Sequence, residues 1–429
     1  MLVEKRILLF RNTIFLTILA CSPMGLMQAQ SHLDSLTSIA IRYYNDKDYQ
    51  KAGELLEQTT LFLEYEFDKR QRFYETALAF AKAKDSARSF RALDAAIENR
   101  FLEIELLDDQ SFDFMKSSFR WKNLKSSMPK VFVGNPDKVE IISKDVENFW
   151  NARKMAIKNP TRKNEIFKQY YFDKGSIGLQ GYYRKKIGTI DAFTTKHENR
   201  ERFYNSIEKN TKGFETYLPQ VKASFKKLKA LYANAVFPPI YLVIGHLNSA
   251  GTVSGDGLLL AMDQISMSHV VDKSELNGWE RNNIKPTEQF PFIVAHELIH
   301  FQQAESIRNT AKDTTLLRSA IIEGMADFIG EKISGQLGSQ KLHEYAKGRE
   351  SEIWKDFQQD MFQNKSHEWI ANGLNVRNGR PSDLGYLVGY WICKSYYEKS
   401  KDKLKAYHDM LNIKDFRKFY QDSGIERQF

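Results

Sequence analysis

The chain has 429 residues, of which 42% are hydrophobic, 13% aromatic and 27% charged. This composition supplies enough apolar side chains for packed cores and excludes a wholly disordered chain, while the length favours two domains over one. The net charge of +9 is spread along the sequence and forms no basic stripe interleaved with aromatic residues, so it does not indicate nucleic-acid binding.

The N-terminal segment has the order of an export signal. Basic residues precede an apolar run over residues 13–21, and small or neutral residues then continue to Ala29; the basic residues are Lys5, Arg6 and Arg11. We therefore predict a signal peptide over residues 1–29 and export across the cytoplasmic membrane, into the periplasm or the medium. No later stretch has the roughly 20 apolar residues of a membrane span, so no transmembrane helix is expected.

A second reading of this segment is lipid attachment. The sequence ILAC ends at Cys21 and resembles a bacterial lipobox, although Leu19 stands where a small residue is usual. We favour cleavage after Ala29 and keep a lipoprotein as the alternative. The other cysteine is Cys393, so a mature chain that begins after Ala29 contains no pair that could form a disulfide.

Residues 35–130 have helical spacing throughout and contain two stretches that look like copies of one unit. The turn residues Asp48 and Asp85 are 37 positions apart, and aromatic and alanine residues recur around them at Tyr43, Ala52, Tyr74 and Ala79. The pattern resembles tetratricopeptide repeats, which have a period of about 34 residues, and implies a partner-binding or packing module. A generic helical bundle is the alternative.

After a turn-rich segment around residues 129–138, helical patterns continue to about residue 235 and are followed by two β-rich runs. These runs, Ile240 to Ile244 and Leu258 to Met262, are separated by a loop rich in Gly, Ser and Asn. Such a pattern predicts two neighbouring strands, and we expect them to form a small antiparallel sheet.

The motif HELIH, residues 296–300, points to metal chemistry. Residues four apart on a helix lie on one face, so His296 and His300 can share one tetrahedral zinc ion at about 2.0 to 2.1 Å. Glu297 lies on the flank of that face, where it can reach a water beside the ion and act as general base.

A second helical stretch, LLRSAIIEGMADFIGEK, supplies further acidic side chains. Zinc hydrolases use a third protein ligand, and a carboxylate from a neighbouring helix completes sites of the His2Glu type, so we predict Glu323 as that ligand. Asp327 follows four residues later and is expected to hold the tautomer of a ligand histidine. We expect Gly324 to let this helix approach the HELIH helix closely.

These residues resemble the gluzincin metallopeptidases, in which HExxH is followed by a helix bearing E-G-x-A-D/E. The closest resemblance is to exported predicted zinc-dependent proteases of bacteria that share VIGxxNSxGT, HExxH, EGxADF and DLGYxxGY, here VIGHLNSAGT, HELIHFQQ, EGMADFIG and DLGYLVGY. It covers about residues 138–425. Gln303 replaces the glycine that an extended metzincin motif requires, and no histidine stands at position 306, which excludes that subclass.

The resemblance implies a mixed sheet packed on the HELIH helix, with the strand near residues 258–262 forming the wall of the cleft. We expect an edge strand at this place, which could bind an extended peptide by main-chain pairing. The fold class expected is therefore mostly helical α+β, with a repeat-like region over 35–130 and a zincin-like domain over 138–425. Tyr386, in DLGYLVGY, is a candidate hydrogen-bond donor to the oxyanion.

The function expected from these features is an exported zinc-dependent hydrolase that cleaves peptide bonds with one Zn²⁺ per chain. Its partners would be a peptide or protein substrate and a protein bound by the N-terminal helical region. The alternative is a non-catalytic peptide-binding or scaffold protein that keeps the helical repeats and a zincin-like fold.

Overall fold

A computed structural model describes residues 23–101, 104–128, 134–303, 306–307, 310–373 and 379–428. Residues 1–22 of the predicted signal peptide, with Cys21, lie outside the described residues. The chain divides into two compact units between residues 130 and 131. That the region 35–130 folds by itself stays a prediction.

The N-terminal unit consists of helices. In chain order they are α1 (Pro23–Asn45), α2 (Tyr49–Thr59), α3 (Glu66–Lys82), α4 (Ser86–Glu98) and α5 (Phe119–Ser127), with short 3-10 helices at Thr60–Phe62, Ile104–Asp108 and Gln110–Met115. Helices α1 and α2 form one hairpin, and α3 and α4 form the next.

The two hairpins have the same type of turn. Lys47 and Lys84 are both left-handed, with φ of 64° and 63°, and each is followed by an aspartate that caps the next helix. The Asp48 carboxylate accepts from the Lys51 N–H at 3.3 Å, and the Asp85 carboxylate accepts from the Arg88 N–H at 3.0 Å. Two copies of one turn 37 residues apart are a structural repeat. Its assignment to the tetratricopeptide class stays a prediction.

Small residues let the hairpins pack closely. Ala52 and Ala79, two of the positions noted in the sequence, are fully buried in one small apolar cluster with Ala40 and Leu56. A larger cluster contains Tyr74, whose ring stacks on Phe101 with centroids 5.1 Å apart and whose hydroxyl donates to the Leu106 carbonyl at 3.0 Å; its other large members include Phe112, Trp121 and Leu124.

The second unit contains a small four-stranded sheet. Its strands are β1 (Ile141–Ile142), β2 (Ile240–Val243), β3 (Gly251–Ser254) and β4 (Gly257–Ala261), in the spatial order β1-β2-β4-β3. The β1–β2 and β2–β4 pairs are parallel, and β3–β4 is antiparallel. The sheet is therefore mixed.

Two expectations about this sheet are wrong. Strands β2 and β4 run parallel, because the intervening segment crosses to the sheet edge as β3 and returns through a hairpin, so that β4 lies between β2 and β3. Strand β4 is consequently central and buried throughout, and β3 is the strand at the edge. Residues 258–262 cannot be the strand that pairs with a peptide.

Helices make up most of the second unit. In chain order they are α6 (Lys144–Lys158), α7 (Lys163–Phe167), α8 (Ile177–Tyr182), α9 (Ile190–Glu198), α10 (Glu201–Ile207), α11 (Leu218–Leu231), α12 (Gly278–Asn283), α13 (Phe290–Gln302), α14 (Leu316–Ser334), α15 (Gln340–Ala346), α16 (Glu350–Asp360), α17 (Leu384–Lys399), α18 (Lys403–Leu411) and α19 (Phe416–Ser423). The π-helical turns Lys168–Phe172 and Tyr183–Ile187 extend α7 and α8. Short 3-10 helices lie at Pro136–Lys138, Pro160–Arg162, Lys209–Thr211, Phe214–Tyr217, Thr287–Gln289, Ser366–Glu368 and Ile425–Gln428. The prediction of a mostly helical α+β fold is confirmed.

Helix α14 packs against both α13 and α17. Gly324 was expected to let α14 approach the HELIH helix α13, but the helix that it meets is α17. A Cβ at this position would lie 2.1 Å from backbone atoms of Gly389 and Tyr390 on α17. Gly324 therefore permits the close crossing of α14 with α17. That crossing brings the start of α17, with Tyr386, beside α14.

Candidate metal site

Helix α13 presents the two histidines on one face. Pro291 lies in its first turn, where a backbone N–H has no intrahelical acceptor, so the N–H that proline lacks is not missed. Val294 and Leu298 are fully buried on the other side. The side chains of His296 and His300 keep 13% and 14% exposure, so one face of a largely buried helix remains accessible.

Three donor atoms from α13 and α14 converge. The Nε2 atoms of His296 and His300 are 3.0 Å apart, and the Glu323 Oε2 atom lies 3.6 Å from the first and 3.2 Å from the second. Among the described residues these three form the group of His, Cys, Asp or Glu side chains able to share a metal ion. Glu297 is outside the group.

The spacing of these donors fits zinc. Four ligands at about 2.0 to 2.1 Å in a tetrahedron are separated by roughly 3.3 to 3.4 Å, which the observed 3.0 to 3.6 Å brackets. Both histidines have their Nδ1 atoms on acceptor oxygens, so in the neutral rings each Nε2 has a lone pair. Three acceptors therefore face one another with no hydrogen between them, and a cation resolves that arrangement.

The electrostatics of the cluster favour positive charge at the same point. Burial opposes protonation of His296, but hydrogen bonds to Asp327 and Glu323 outweigh it and raise its pKa well above the ordinary value. The pKa of His300 is also raised, because the charge of Glu323 outweighs burial. Burial alone would raise the pKa of Glu323, yet the two imidazoles hold it far below its usual range.

Asp327 orients His296. Its Oδ1 lies 2.8 Å from His296 Nδ1, and its other oxygen accepts from the Ser339 hydroxyl at 3.2 Å. The carboxylate is only 7% exposed. Because Nδ1 must donate to Asp327, the Nε2 lone pair of His296 is turned toward His300 and Glu323.

Gln303 makes the corresponding contact with His300, with its Oε1 3.0 Å from His300 Nδ1. Sequence reasoning assigned Gln303 no role beyond excluding a metzincin. Its position three residues after His300 on the same helix face is a signal that could have indicated the contact. Ser339 carried no comparable signal, because it follows α14 in a loop and reaches Asp327 only through the fold.

Glu297 is 8% exposed and lies against the start of the edge strand. A Cβ added to Gly251 would stand 2.4 Å from Glu297 Oε1, so a side chain at this position would displace the carboxylate. No donor among the described residues hydrogen-bonds the carboxylate, and burial raises its pKa although His296 and His300 partly oppose the shift. A carboxylate of raised pKa is a stronger base than an ordinary one, so Glu297 can accept a proton from a neighbouring water.

Tyr386 lies beside the donor group. Its ring is nearly parallel to that of His296, at 20° with centroids 6.2 Å apart, and its hydroxyl is hydrogen-bonded to Glu323. Burial, followed by the charges of Glu323 and Asp383, raises the pKa of this hydroxyl well above the ordinary value. Tyr386 is therefore a hydrogen-bond donor at any physiological pH.

The edge strand β3 borders Glu297 but is not bare. The Gly251 carbonyl accepts from the Ser249 hydroxyl at 2.6 Å, and the Val253 carbonyl accepts from Lys185 Nζ at 2.9 Å. Any chain that pairs with this edge would have to replace these two donors or use the strand's N–H groups.

The fold and the donor group together describe a helical protein with an HExxH helix and a third carboxylate on its neighbour. A family described as "Predicted Zn-dependent protease (DUF2268)" matches residues 278–415, about a third of the chain. This segment contains the whole of α13, α14 and α17, with His296, His300, Glu323 and Tyr386. The chain is thus similar over its site region to predicted zinc-dependent proteases, which supports a zinc hydrolase.

No curated protein and no solved structure matches the chain. Within the part of the chain that the structure describes, no helix has both the length and the apolar character required to cross a membrane.

Proposed function

We propose that the chain is an exported zinc metallopeptidase that holds one zinc ion through His296, His300 and Glu323. The observation that carries the proposal is the convergence of three lone-pair atoms within 3.6 Å, inside the segment that resembles predicted zinc-dependent proteases. When bound, zinc supplies a Lewis acid that polarises a carbonyl and lowers the pKa of a water molecule.

The protein's own residues then move the proton. Glu297 accepts a proton from the attacking water and delivers it to the leaving amine, because no donor among the described residues hydrogen-bonds its carboxylate and burial raises its pKa. Tyr386 turns its single O–H from Glu323 to the oxyanion that forms on the substrate carbonyl, since its hydroxyl remains protonated. Asp327 keeps His296 in the ligand tautomer.

An extended peptide would lie along β3, next to Glu297. Main-chain pairing with an edge strand gives affinity without strong sequence selection, which suits a peptidase.

Residues 35–130 would form a separate tetratricopeptide-like module that binds a protein partner, a proposal that the repeated Lys47 and Lys84 turns support. Limited proteolysis should then cut first between residues 128 and 138.

The proposal is tested by digestion of a broad peptide library followed by mass spectrometry, with and without a zinc chelator. We expect cleavage products that disappear with the chelator and return with added zinc. Elemental analysis should give about one zinc per chain. If the protein binds library peptides and cleaves none of them while holding zinc, it is a capture protein rather than a peptidase.

A further inference from the structure

Gln303 is a buried amide at the C-terminal end of α13. The residue is 2% exposed, and its N–H continues the helical pattern by donating to the Ile299 carbonyl at 2.9 Å. Its side chain lies between α13 and α14, where it meets both helices.

The contacts of the amide group determine its orientation. The Nε2 atom lies 3.1 Å from the Ile322 carbonyl oxygen and 3.1 Å from Met325 Sδ, and both of these atoms can only accept. The nitrogen of the amide must therefore point to α14, which leaves Oε1 toward His300. An amide oxygen accepts and never donates, so His300 Nδ1 must carry the hydrogen.

From this geometry we infer that Gln303 is a positioning residue that fixes His300 in the tautomer and ring orientation required for metal ligation through Nε2. The inference rests on the proposed ligand set. Because Ile322 directly precedes Glu323, the same amide also ties His300 to the backbone beside the third ligand. One side chain thus sets the distance between ligands that come from two helices.

The two ligand histidines are held by different chemistry. Asp327 brings a negative charge to His296, whereas Gln303 brings a neutral dipole to His300. A neutral amide orients the imidazole without adding a further negative charge to a buried cluster that already contains Glu297, Glu323 and Asp327. This explains why an amide at position 303 suits the site.

The test compares zinc affinity in two methionine variants of full-length protein, measured by competition with a chelator. Gln303→Met keeps the size of the side chain and removes the acceptor. Gln302→Met is the matched control, because Gln302 also bridges two segments, with Nε2 2.8 Å from the Val236 carbonyl and Oε1 3.1 Å from the Val236 N–H. We expect a loss of zinc affinity of about 10- to 100-fold for Gln303→Met and less than about twofold for Gln302→Met.

A third variant separates orientation from packing. Gln303→Glu keeps an acceptor for His300 Nδ1 and should bind zinc more tightly than Gln303→Met, even if it is less stable. Equal zinc affinity of Gln303→Met and Gln302→Met would overturn the inference. So would equal losses in Gln303→Met and Gln303→Glu, which would mean that the residue only fills space.

A readout in the metal-free protein keeps this inference apart from the peptidase proposal. Nitrogen-15 NMR of labelled histidines should show a slowly exchanging Nδ1 proton on His300 in wild type and Gln303→Glu, and lose it in Gln303→Met. A wild-type protein with this proton but without peptidase activity would contradict the proposed function and leave the role of Gln303 intact. Absence of the proton in wild type would contradict the role itself.

Discussion

Two buried polar clusters in the second unit each combine histidine with a carboxylate, and they are built in opposite ways. The Asp263 cluster consists of Asp263, Tyr204, His197 and the backbone of Gly245 and Leu247. Here Asp263 accepts from the Gly245 N–H at 2.8 Å, from the Leu247 N–H at 3.0 Å and from the Tyr204 hydroxyl at 3.2 Å. The His197 Nε2 atom is paired with the Gly245 carbonyl at 2.9 Å.

In the ligand cluster of His296, His300 and Glu323, the Nδ1 atoms of both imidazoles are paired with side-chain oxygens. Their Nε2 atoms instead face each other and the Glu323 carboxylate, which are all acceptors. The pKa directions follow. Burial drives the pKa of His197 well below its ordinary value, whereas carboxylates raise the pKa of His296 and His300 despite burial. Converging acceptors mark a cation site, whereas a buried carboxylate that meets backbone and hydroxyl donors, as Asp263 does, marks a structural network.

The structural cluster nevertheless serves the site. Asp263 holds the backbone at residues 245–247, where Leu247 has a left-handed φ of 61°, and that loop leads into Gly251 beside Glu297. We therefore expect substitutions in the ligand cluster to alter catalysis and metal binding, and substitutions in the Asp263 cluster to alter stability.

The largest expected effect is on the rate of peptide cleavage. Glu297→Gln keeps the shape of the side chain and removes the base, so kcat should fall by about 10²- to 10⁴-fold in a peptide assay while zinc content stays constant. The control is Glu280→Gln, because Glu280 is also a buried glutamate but pairs with Arg200 and Lys196. Full activity of Glu297→Gln would remove the base assignment.

The next contrast concerns zinc content, measured on purified protein by elemental analysis. His300→Ala deletes a converging donor and should leave little bound zinc. His197→Ala should keep about one zinc per chain but lose about 3 kcal/mol of unfolding free energy, because His197 packs at 3.9 Å and 4.1 Å centroid distance against Tyr204 and Phe193. Zinc retained by His300→Ala, or lost by a folded His197→Ala protein, would contradict the distinction between the two clusters.

A smaller effect is expected from the two aspartates. Asp327→Asn weakens the orientation of His296 and should lower zinc affinity by about 10- to 100-fold, with a minor change in stability. Asp263→Asn turns an amide N–H toward backbone donors and should cost about 1–3 kcal/mol of unfolding free energy, because buried groups lose their partners. Zinc affinity in that variant should match wild type. Chelator competition and denaturant unfolding measure the two quantities.

The smallest effect is on the pH dependence of stability. The folded-state pKa of His197 is depressed by burial, so below about pH 6.5 the unfolded chain binds a proton that the folded chain does not. Unfolding free energy should therefore fall with decreasing pH, by at most about 1.4 kcal/mol per pH unit from this residue. His197→Phe keeps a ring and should show a shallower slope between pH 6.5 and 5. An unchanged slope would mean that His197 is not buried in its neutral form.

Part of the site could be read from the sequence because helical spacing is local. Backbone hydrogen bonds between residues four apart place His296 over His300, and Glu323 over Asp327, whatever surrounds the helices. The helical hairpins, whose Asp48 and Asp85 caps are local features, could be located from local sequence patterns as well. So could the two β-rich runs. The predicted export signal is likewise a local pattern, although it falls mostly outside the described residues.

What the tertiary structure decided is which surfaces meet. The parallel pairing of β2 with β4 depends on the chain crossing to the edge as β3, and a β-rich pattern carries no information about strand direction. The contact of Gly324 with α17, and the contacts of Gln303 with Ile322 and of Ser339 with Asp327, depend on the packing of separate segments. Side-chain spacing is fixed by the backbone of one helix, whereas such partners are fixed only when separate helices bury their apolar faces together.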